Sequence, residues 1–511
     1  QLNLVNRVII RSRSIAFAST TAPKIKAFPL ITCKNTKFNL LAEENQNDSK
    51  IKDSNTLELA SKGWQHYKAK GDHFIIHPVR DVIESNLKNS VDLSELELDE
   101  TLVKNIYEKH GIKKATKLQK DAIDEILQGK HVLIAAETGC GKTHAYLIPI
   151  IQQLIARKAR ETQERQFNTP LALIITPGRE LAHQIGRVAE ELTDGLGMNV
   201  KVIVGGHTKQ VMRNPEFEDI DILVGSIGAL SKLTTTGIFR MTAVKHVVLD
   251  EADTLLDDSF NEKLCHYLHR FSFIRDVQLV LASATMPTNT EDVFRDIIDT
   301  DTLTKVVSTD LHKILPYVTQ KFIRMNKSQR AETLLRIVKS EVHKKRPVIV
   351  FSTKSSTSDY VSIFLNDNGI NCLNLNGDML KKIRDGRFDK FQNGEVNVLS
   401  TTDCIGRGLN TVRARHIVNF EFPIHISDYI HRCGRIGRLG SDKSCFITNF
   451  ISSDFELDLV RKIETSARTT GMLEDVNANI NKIITEKIQR TIQRYENIEL
   501  HQMSRAAKEN K

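Results

Sequence analysis

Three carboxylates stand within four residues at the end of a dense apolar run: HVVLDEAD, His246 to Asp253, closes on Asp250, Glu251 and Asp253. Like charges this close repel, and burying even one is costly unless a cation pairs with it. Taken alone, the stretch reads equally well as an acidic loop with a capping aspartate. A second stretch supplies the partner. VLIAAETGCGKT, Val132 to Thr143, is a strand-like run followed by G-x-G-K-T. Gly139 and Gly141 let backbone N–H groups curl around phosphate oxygens, Lys142 reaches the β- and γ-phosphates, and the Thr143 hydroxyl can ligate Mg2+. Ala136 stands where the general pattern has its first glycine; Glu137, Thr138 and Cys140 complete the loop, Cys140 only filling a variable position. The cation opposite Asp250 is then a metal carried on a nucleotide phosphate. Glu251 is placed to orient and deprotonate a water for in-line attack on the γ-phosphate.

Such residues need rigid elements behind them. The runs HVLIAA, LALIIT, VKVIVGG, DILVGS, VKHVVLD and VQLVLASAT read as strands buried on both faces, separated by helical patterns such as RELAHQIGRVAEEL. After LHKILPYV the alternation restarts with RPVIVFS, INCLNLNG, VNVLSTTD, ARHIVNFEFP and SCFITNF. The fold class is therefore α/β, with two open, mostly parallel sheets in tandem domains, 93–308 and 317–469, joined by a linker at 309–316. Ligands of such sheets bind at the carboxyl ends of the strands, where the chemistry lies here. A polar tail, 470–511, reads as an exposed helix.

The 511 residues carry a net charge of +9, which leans towards polyanionic partners without proving one. Seven scattered cysteines without a C-x-x-C pair argue for reduced thiols rather than a disulfide or zinc framework. No apolar run approaches the roughly 18 residues of a membrane span. Residues 1–42 hold seven basic residues (Arg7, Arg11, Arg13, Lys24, Lys26, Lys34 and Lys37) and no acidic one. That is the composition of an organellar transit peptide, or of a basic arm that touches RNA. Residues 43–92 read as a polar connector. The cationic run HKKRP, His343 to Pro347, reads most simply as a solvated helix end.

The DEAD of Asp250 to Asp253, with the phosphate loop upstream and SAT (Ser283 to Thr285) downstream, resembles the DEAD-box RNA helicases over roughly residues 93 to 465. The resemblance implies two RecA-like domains, ATP and Mg2+ as ligands, RNA as partner, and RNA-dependent ATP hydrolysis. GIKKATKLQ is similar to the adenine-reading Q motif and implies Thr116 and Gln119 at the base. PGRELAHQ, the pair Gly205–Gly206, SIGA (Ser226 to Ala229), TTDCIGRGLN and HRCGRIGR match further family motifs in order. They imply RNA contacts from Pro177, Arg179, Gly206, Gly228, Arg384 and Thr402, and nucleotide contacts from Gly408 and Asn410. Arg435 and Arg438 are the implied arginine fingers, a role that suits guanidinium groups beside a transferring phosphoryl. Asp253, Ser283 and Thr285 would couple the domains. The catalytic set is thus Lys142, Asp250, Glu251, Arg435 and Arg438, with Thr143 and Asp250 as metal ligands.

The chain departs from the family at several motif positions. Leu93 and Ile112 replace aromatics, and Ala115 and Gly178 replace a proline and a threonine. SIGA replaces T-P-G-R, Lys381 a glutamine, and Asn410 an aspartate. None of these removes a group needed for hydrolysis. DEADTLLDDSF resembles the mitochondrial DEAD-box helicases of ribosome assembly. With the basic presequence, this points to ribosomal RNA of the large subunit, in the mitochondrial matrix, with assembly proteins as partners of a monomer; nucleus or cytoplasm is the alternative location. An ATP-gated RNA clamp with little unwinding is the alternative activity. A DNA-translocating helicase is disfavoured, because the matching motifs are those of the RNA family.

Overall fold

The computed structural model describes residues 29–40, 58–78, 90–160, 165–206, 208–256, 258–271, 273, 276–286, 294, 297–315, 318–406, 411, 413–437, 444–473 and 476. Arg438, Gly408 and Asn410, most of the expected presequence, and the expected tail helix beyond residue 476 lie outside them.

Seven parallel strands form the first sheet, in the order Leu303–Val307, His131–Ala135, Gln278–Ser283, His246–Asp250, Ala172–Thr176, Ile222–Ser226 and Val200–Ile203. Four of these runs are buried at every residue, as parallel strands covered by helices on both faces must be. Their period-2 alternation feeds two cores: Ile174 enters one, Leu173 and Ile175 the other. Register then fixes the site. Ser283 pairs with Ala135 and Ala282 with Asp250, so the phosphate loop, the SAT segment and the carboxylates emerge side by side from one sheet edge.

Six parallel strands of the second sheet follow the order Thr319–Arg324, Phe446–Ile451, His416–Asn419, Val348–Ser352, Val398–Thr402 and Cys372–Leu375. The chain passes from one sheet to the other between Val307 and Thr319. Both RecA-like domains expected from the sequence are present.

The N-terminal segment differs from expectation. Ile31–Cys33 and His73–Ile76 are antiparallel strands that extend the second sheet beyond Thr319–Arg324. Residues 60–78 are therefore not a loose connector, and a transit peptide running to residue 42 would include a strand of the second domain. The reason is packing across a long sequence distance. Trp64, the chain's single tryptophan, is buried beside Phe74, which stacks on Phe322 with ring centroids 4.6 Å apart. Glu464, buried on the last helix (Phe455–Thr469), accepts hydrogen bonds from the Ala60 and Ser61 N–H groups and the Ser61 hydroxyl. Arg468 neutralises that carboxylate at 2.7 Å and donates to the Phe38 carbonyl. A buried charge held by this many partners is costly to strand, so the segment is anchored.

Candidate nucleotide and nucleic-acid site

Gly139 and Gly141 sit at φ +87° and +89°, the left-handed region that glycine adopts without strain, and the helix Lys142–Lys158 starts directly after them. Its N-terminal N–H groups and dipole thus face the loop. The Lys142 ammonium donates to the carbonyls of Ala136 and Glu137, at 2.7 and 2.9 Å, which spans the loop and leaves one of its three protons for a phosphate. Burial pushes the Cys140 thiol up to about 11, so it is a neutral filler near pH 7. Thr116 and Gln119 form a capping box at the helix Lys117–Leu127, and the Gln119 carboxamide also donates to the Gly141 carbonyl at 3.2 Å. The expected base-reading residues are therefore tied to the phosphate loop itself.

Asp250 ends its strand buried. It accepts from the Tyr146 hydroxyl at 2.9 Å and from the Glu251 N–H at 2.8 Å. Burial raises its carboxyl above the usual range, opposed by those donors and by Lys142. Thr143 also bonds Tyr146, so the hydroxyl and carboxylate expected to bind the metal are gathered around one phenol. An all-oxygen set around a buried carboxylate fits a hard divalent cation. Glu251 turns the chain at φ +51°, ψ +50°, an uncommon conformation for a non-glycine residue that is often found at functional sites. Burial raises Glu251 too, while His431 and Arg435 of the second domain pull it back.

The two domains meet here. Asp253 accepts from the Thr285 N–H and hydroxyl, at 3.1 and 2.9 Å, and lies 3.4 Å from His431 Nε2. The expected coupling residues Asp253, Ser283 and Thr285 are thus in contact, since the Thr285 N–H also reaches Ser283 Oγ. Gly434 lies so close to the phosphate loop that a Cβ there would overlap the Thr138 side chain. Arg435 is buried, with Nε on the His431 carbonyl at 3.0 Å. Arg432 is occupied within its own domain, held by Asp403, Asn419 and the Glu421 carbonyl.

Among the expected RNA contacts, Arg179 packs against Gly205, next to Gly206, and Gly228 is exposed in the first turn of the helix Ile227–Thr235. Pro177 is half-buried just before the N-terminus of the helix Arg179–Thr193, and Thr402 is buried at its strand end. Arg384 is instead ion-paired across the domains with Glu180 at 3.2 Å. Sequence reasoning missed Tyr146, four residues after Lys142 on the same helix face, and the roles of His431 and Gly434. It also missed His312, whose ring accepts the Met286 N–H at 3.0 Å and ties the linker to the SAT segment.

The DEAD/DEAH box helicase model matches residues 116–293, and the helicase conserved C-terminal domain model matches residues 329–440. "Probable ATP-dependent RNA helicase DDX28" of Mus musculus is 33% identical over 453 residues, 84% of this chain and 83% of that protein. Its Homo sapiens counterpart is 33% identical over 449 residues, 83% and 82% of the two chains. Among solved structures, S. cerevisiae Dbp5 bound to RNA and ADP BeF3 matches with a TM-score of 0.61 at 22% identity, over 78% of this chain and 99% of that one, a likeness of fold.

Proposed function

The chain belongs to the DEAD/DEAH box helicase family and is an ATP-dependent RNA helicase with that family's RNA-dependent ATPase; on that premise we propose how its residues divide the work and which RNA they serve. Thr116 and Gln119 hold the adenine, and residues 136–143 hold the phosphates. Thr143 and Asp250 hold Mg2+, which when bound screens the β- and γ-phosphate charge and polarises the transferring phosphoryl. Glu251 orients the attacking water and takes its proton; its raised affinity for protons suits a base. Arg435, with Arg438, delivers positive charge to the γ-phosphate from the other domain. The observation that carries this reading is the juxtaposition of Glu251 with His431 and Arg435 while Gly434 meets Thr138. The site is complete only with the domains together, so ATP and RNA bound across both domains favour the same closed state and each strengthens the other.

The RNA is structured ribosomal RNA of the mitochondrial large subunit, remodelled in the matrix by a monomer working with assembly proteins. The basic, acid-free N-terminus supports the location, and RNA contacts from backbone-facing groups suit weak sequence selectivity. Because Ile31 is buried within the second sheet, the import signal is assigned to the residues before it, which retain Arg7, Arg11, Arg13, Lys24 and Lys26. The test is Glu251→Gln, assayed with RNA and with DNA of the same sequence. RNA-stimulated turnover should fall roughly a hundredfold or more while the variant stays locked on RNA with ATP. Turnover near the parent rate would remove Glu251 from the role of base. A parent with negligible RNA-stimulated hydrolysis would favour the clamp.

A further inference from the structure

Three loops that enter the second sheet carry the basic residues Lys344, Lys345 and Arg346, then Arg413 and Arg415, with Ser444 on the third. They precede the neighbouring strands Val348–Ser352, His416–Asn419 and Phe446–Ile451 and line one depression of about 470 Å³. Among the described residues, five cations and no carboxylate line it. The described residues where these loops enter the strands are fixed to one another. The Arg415 and His416 N–H groups both donate to the Pro347 carbonyl, and the Phe446 N–H donates to the Arg415 carbonyl.

Side-chain packing points the same way. The Arg346 guanidinium lies over the Phe446 ring at 5.3 Å. Arg413 is braced by the Phe391 carbonyl and by Asn397 Oδ1 at 2.9 Å. Burial lowers its proton affinity, and the like charge of the neighbouring Arg415 adds to that. Glu341 is the nearby counter-charge, but it stands 3.8 Å from Lys344 and 3.7 Å from Arg346 and is shared with His416. Among the described residues, that one carboxylate faces five cations. Lys345 moreover occupies the left-handed position that ends a helix, φ +56°, where glycine or asparagine is the usual choice.

These loops lie at the amino ends of the strands, whereas Thr402 closes its strand at the carboxyl end and Arg432 and Arg435 lie beyond the carboxyl ends. Strands of four to six residues put the depression about 13–20 Å from the cleft edge. No exposed aromatic lines it, so it offers no platform for stacked bases. We propose that this depression is a second RNA site, which grips the phosphodiester backbone of structure flanking the strand held in the cleft. This rests on the helicase reading of the cleft and adds substrate selection to it: structured RNA is held more tightly than a bare strand.

The experiment measures binding by the full chain with a non-hydrolysable ATP analogue. One RNA is a short single strand that fills only the cleft; the other is the same strand extended into a hairpin. Lys344 and Lys345 are exposed, so Lys344→Gln/Lys345→Gln leaves the fold intact, which melting confirms. The double variant should bind the short strand like the parent and the hairpin RNA roughly tenfold more weakly, with the salt slope for the hairpin lowered by about 1.8. Photo-crosslinks to residues 344–347 should form with the hairpin RNA alone. Unchanged hairpin affinity and slope, or equal weakening on both RNAs, overturns the proposal. So does parent binding of polyglutamate that the variant loses while hairpin affinity holds, which would assign the patch to an acidic protein. A parent that binds neither RNA refutes the cleft reading instead.

Discussion

Gly434→Ala tests the closed site without touching any reacting group. Gly434 ends the helix Ile426–Cys433 at φ −67°, ψ 2°, a conformation alanine adopts freely, so the second domain alone should lose no stability. In the closed arrangement the added methyl overlaps Thr138 Oγ1 and Cβ. Restoring van der Waals separation requires the domains to part by roughly 2 Å at this point. Arg435 is the next residue, so it would be held back by a similar distance. A misplacement of about 1 Å in a positioned group can cost a hundredfold in rate, so RNA-stimulated kcat should fall at least about a hundredfold. ATP binding by the first domain should persist, because the loop, Lys142 and Gln119 all lie on that side. Thr138→Gly removes the obstructing side chain, so Gly434→Ala/Thr138→Gly should recover part of the lost stimulation. ATPase rates with and without RNA, alongside melting curves of all three variants, decide it. A Gly434→Ala protein with parental RNA stimulation would show that catalysis does not pass through the arrangement seen here.

Phe74→Ala removes a fully buried ring that stacks on Phe322 and packs tilted against Trp64, so it should cost about 3–5 kcal/mol and lower the melting of the second domain by about 10 °C. Calorimetry reads this directly, and an unchanged transition would detach residues 60–78 from that domain. Burial pushes His246 from its ordinary value of 6.5 down to about 4, so its contribution is complete above 6.5 and is lost as pH falls towards 4. Between about pH 7.5 and pH 5 the loss should be about 2 kcal/mol, and denaturant titrations of His246→Gln, which retains a partner for Gln278, should show a pH dependence weaker by that amount.

The parts of the site legible in the sequence are those encoded locally. A phosphate loop needs glycines and a lysine at fixed offsets, and the carboxylates directly end an apolar strand, so residues 136–143 and 250–253 stood out without any knowledge of tertiary contacts. What stayed hidden depends on partners far along the chain. The strand Thr319–Arg324 buries Gln320, Phe322 and Arg324, so two of its three inward residues are polar and break the apolar alternation. Those polar groups are satisfied by the Tyr429 hydroxyl and by Asp454, each more than a hundred residues away. Trp64 and Phe74 were lost in the polar average of their surroundings for the same reason. HKKRP reads as a solvated run until Arg413 and Arg415 are folded beside it. Arg384, expected at RNA, is engaged by Glu180 of the other domain, a pairing that only the closed arrangement creates.

The N-terminal strands also change how the two domains can move. The second domain is discontinuous: part of it precedes the first domain and the rest follows, with Phe74 and Phe322 roughly 250 residues apart yet stacked. Closing so long a loop costs little more than closing a shorter one, because the entropy grows only with the logarithm of length. The chain therefore connects the domains twice, between residues 78 and 90 and again between Val307 and Thr319. Each connection holds eleven residues, twelve Cα-to-Cα steps, and reaches at most about 43 Å when fully extended. Hydrolysis can break the contacts of Gly434 with Thr138 and of Arg384 with Glu180, but the domains then remain within that radius. Re-closure on ATP is an intramolecular event with an effective concentration on the order of millimolar. Weakening the anchor at Trp64 and Phe74 frees one of the two connections while leaving every catalytic group in place. The connection between Val307 and Thr319 has the same reach, so it still holds the domains within that radius, and the anchor supplies a second tether rather than a tighter limit.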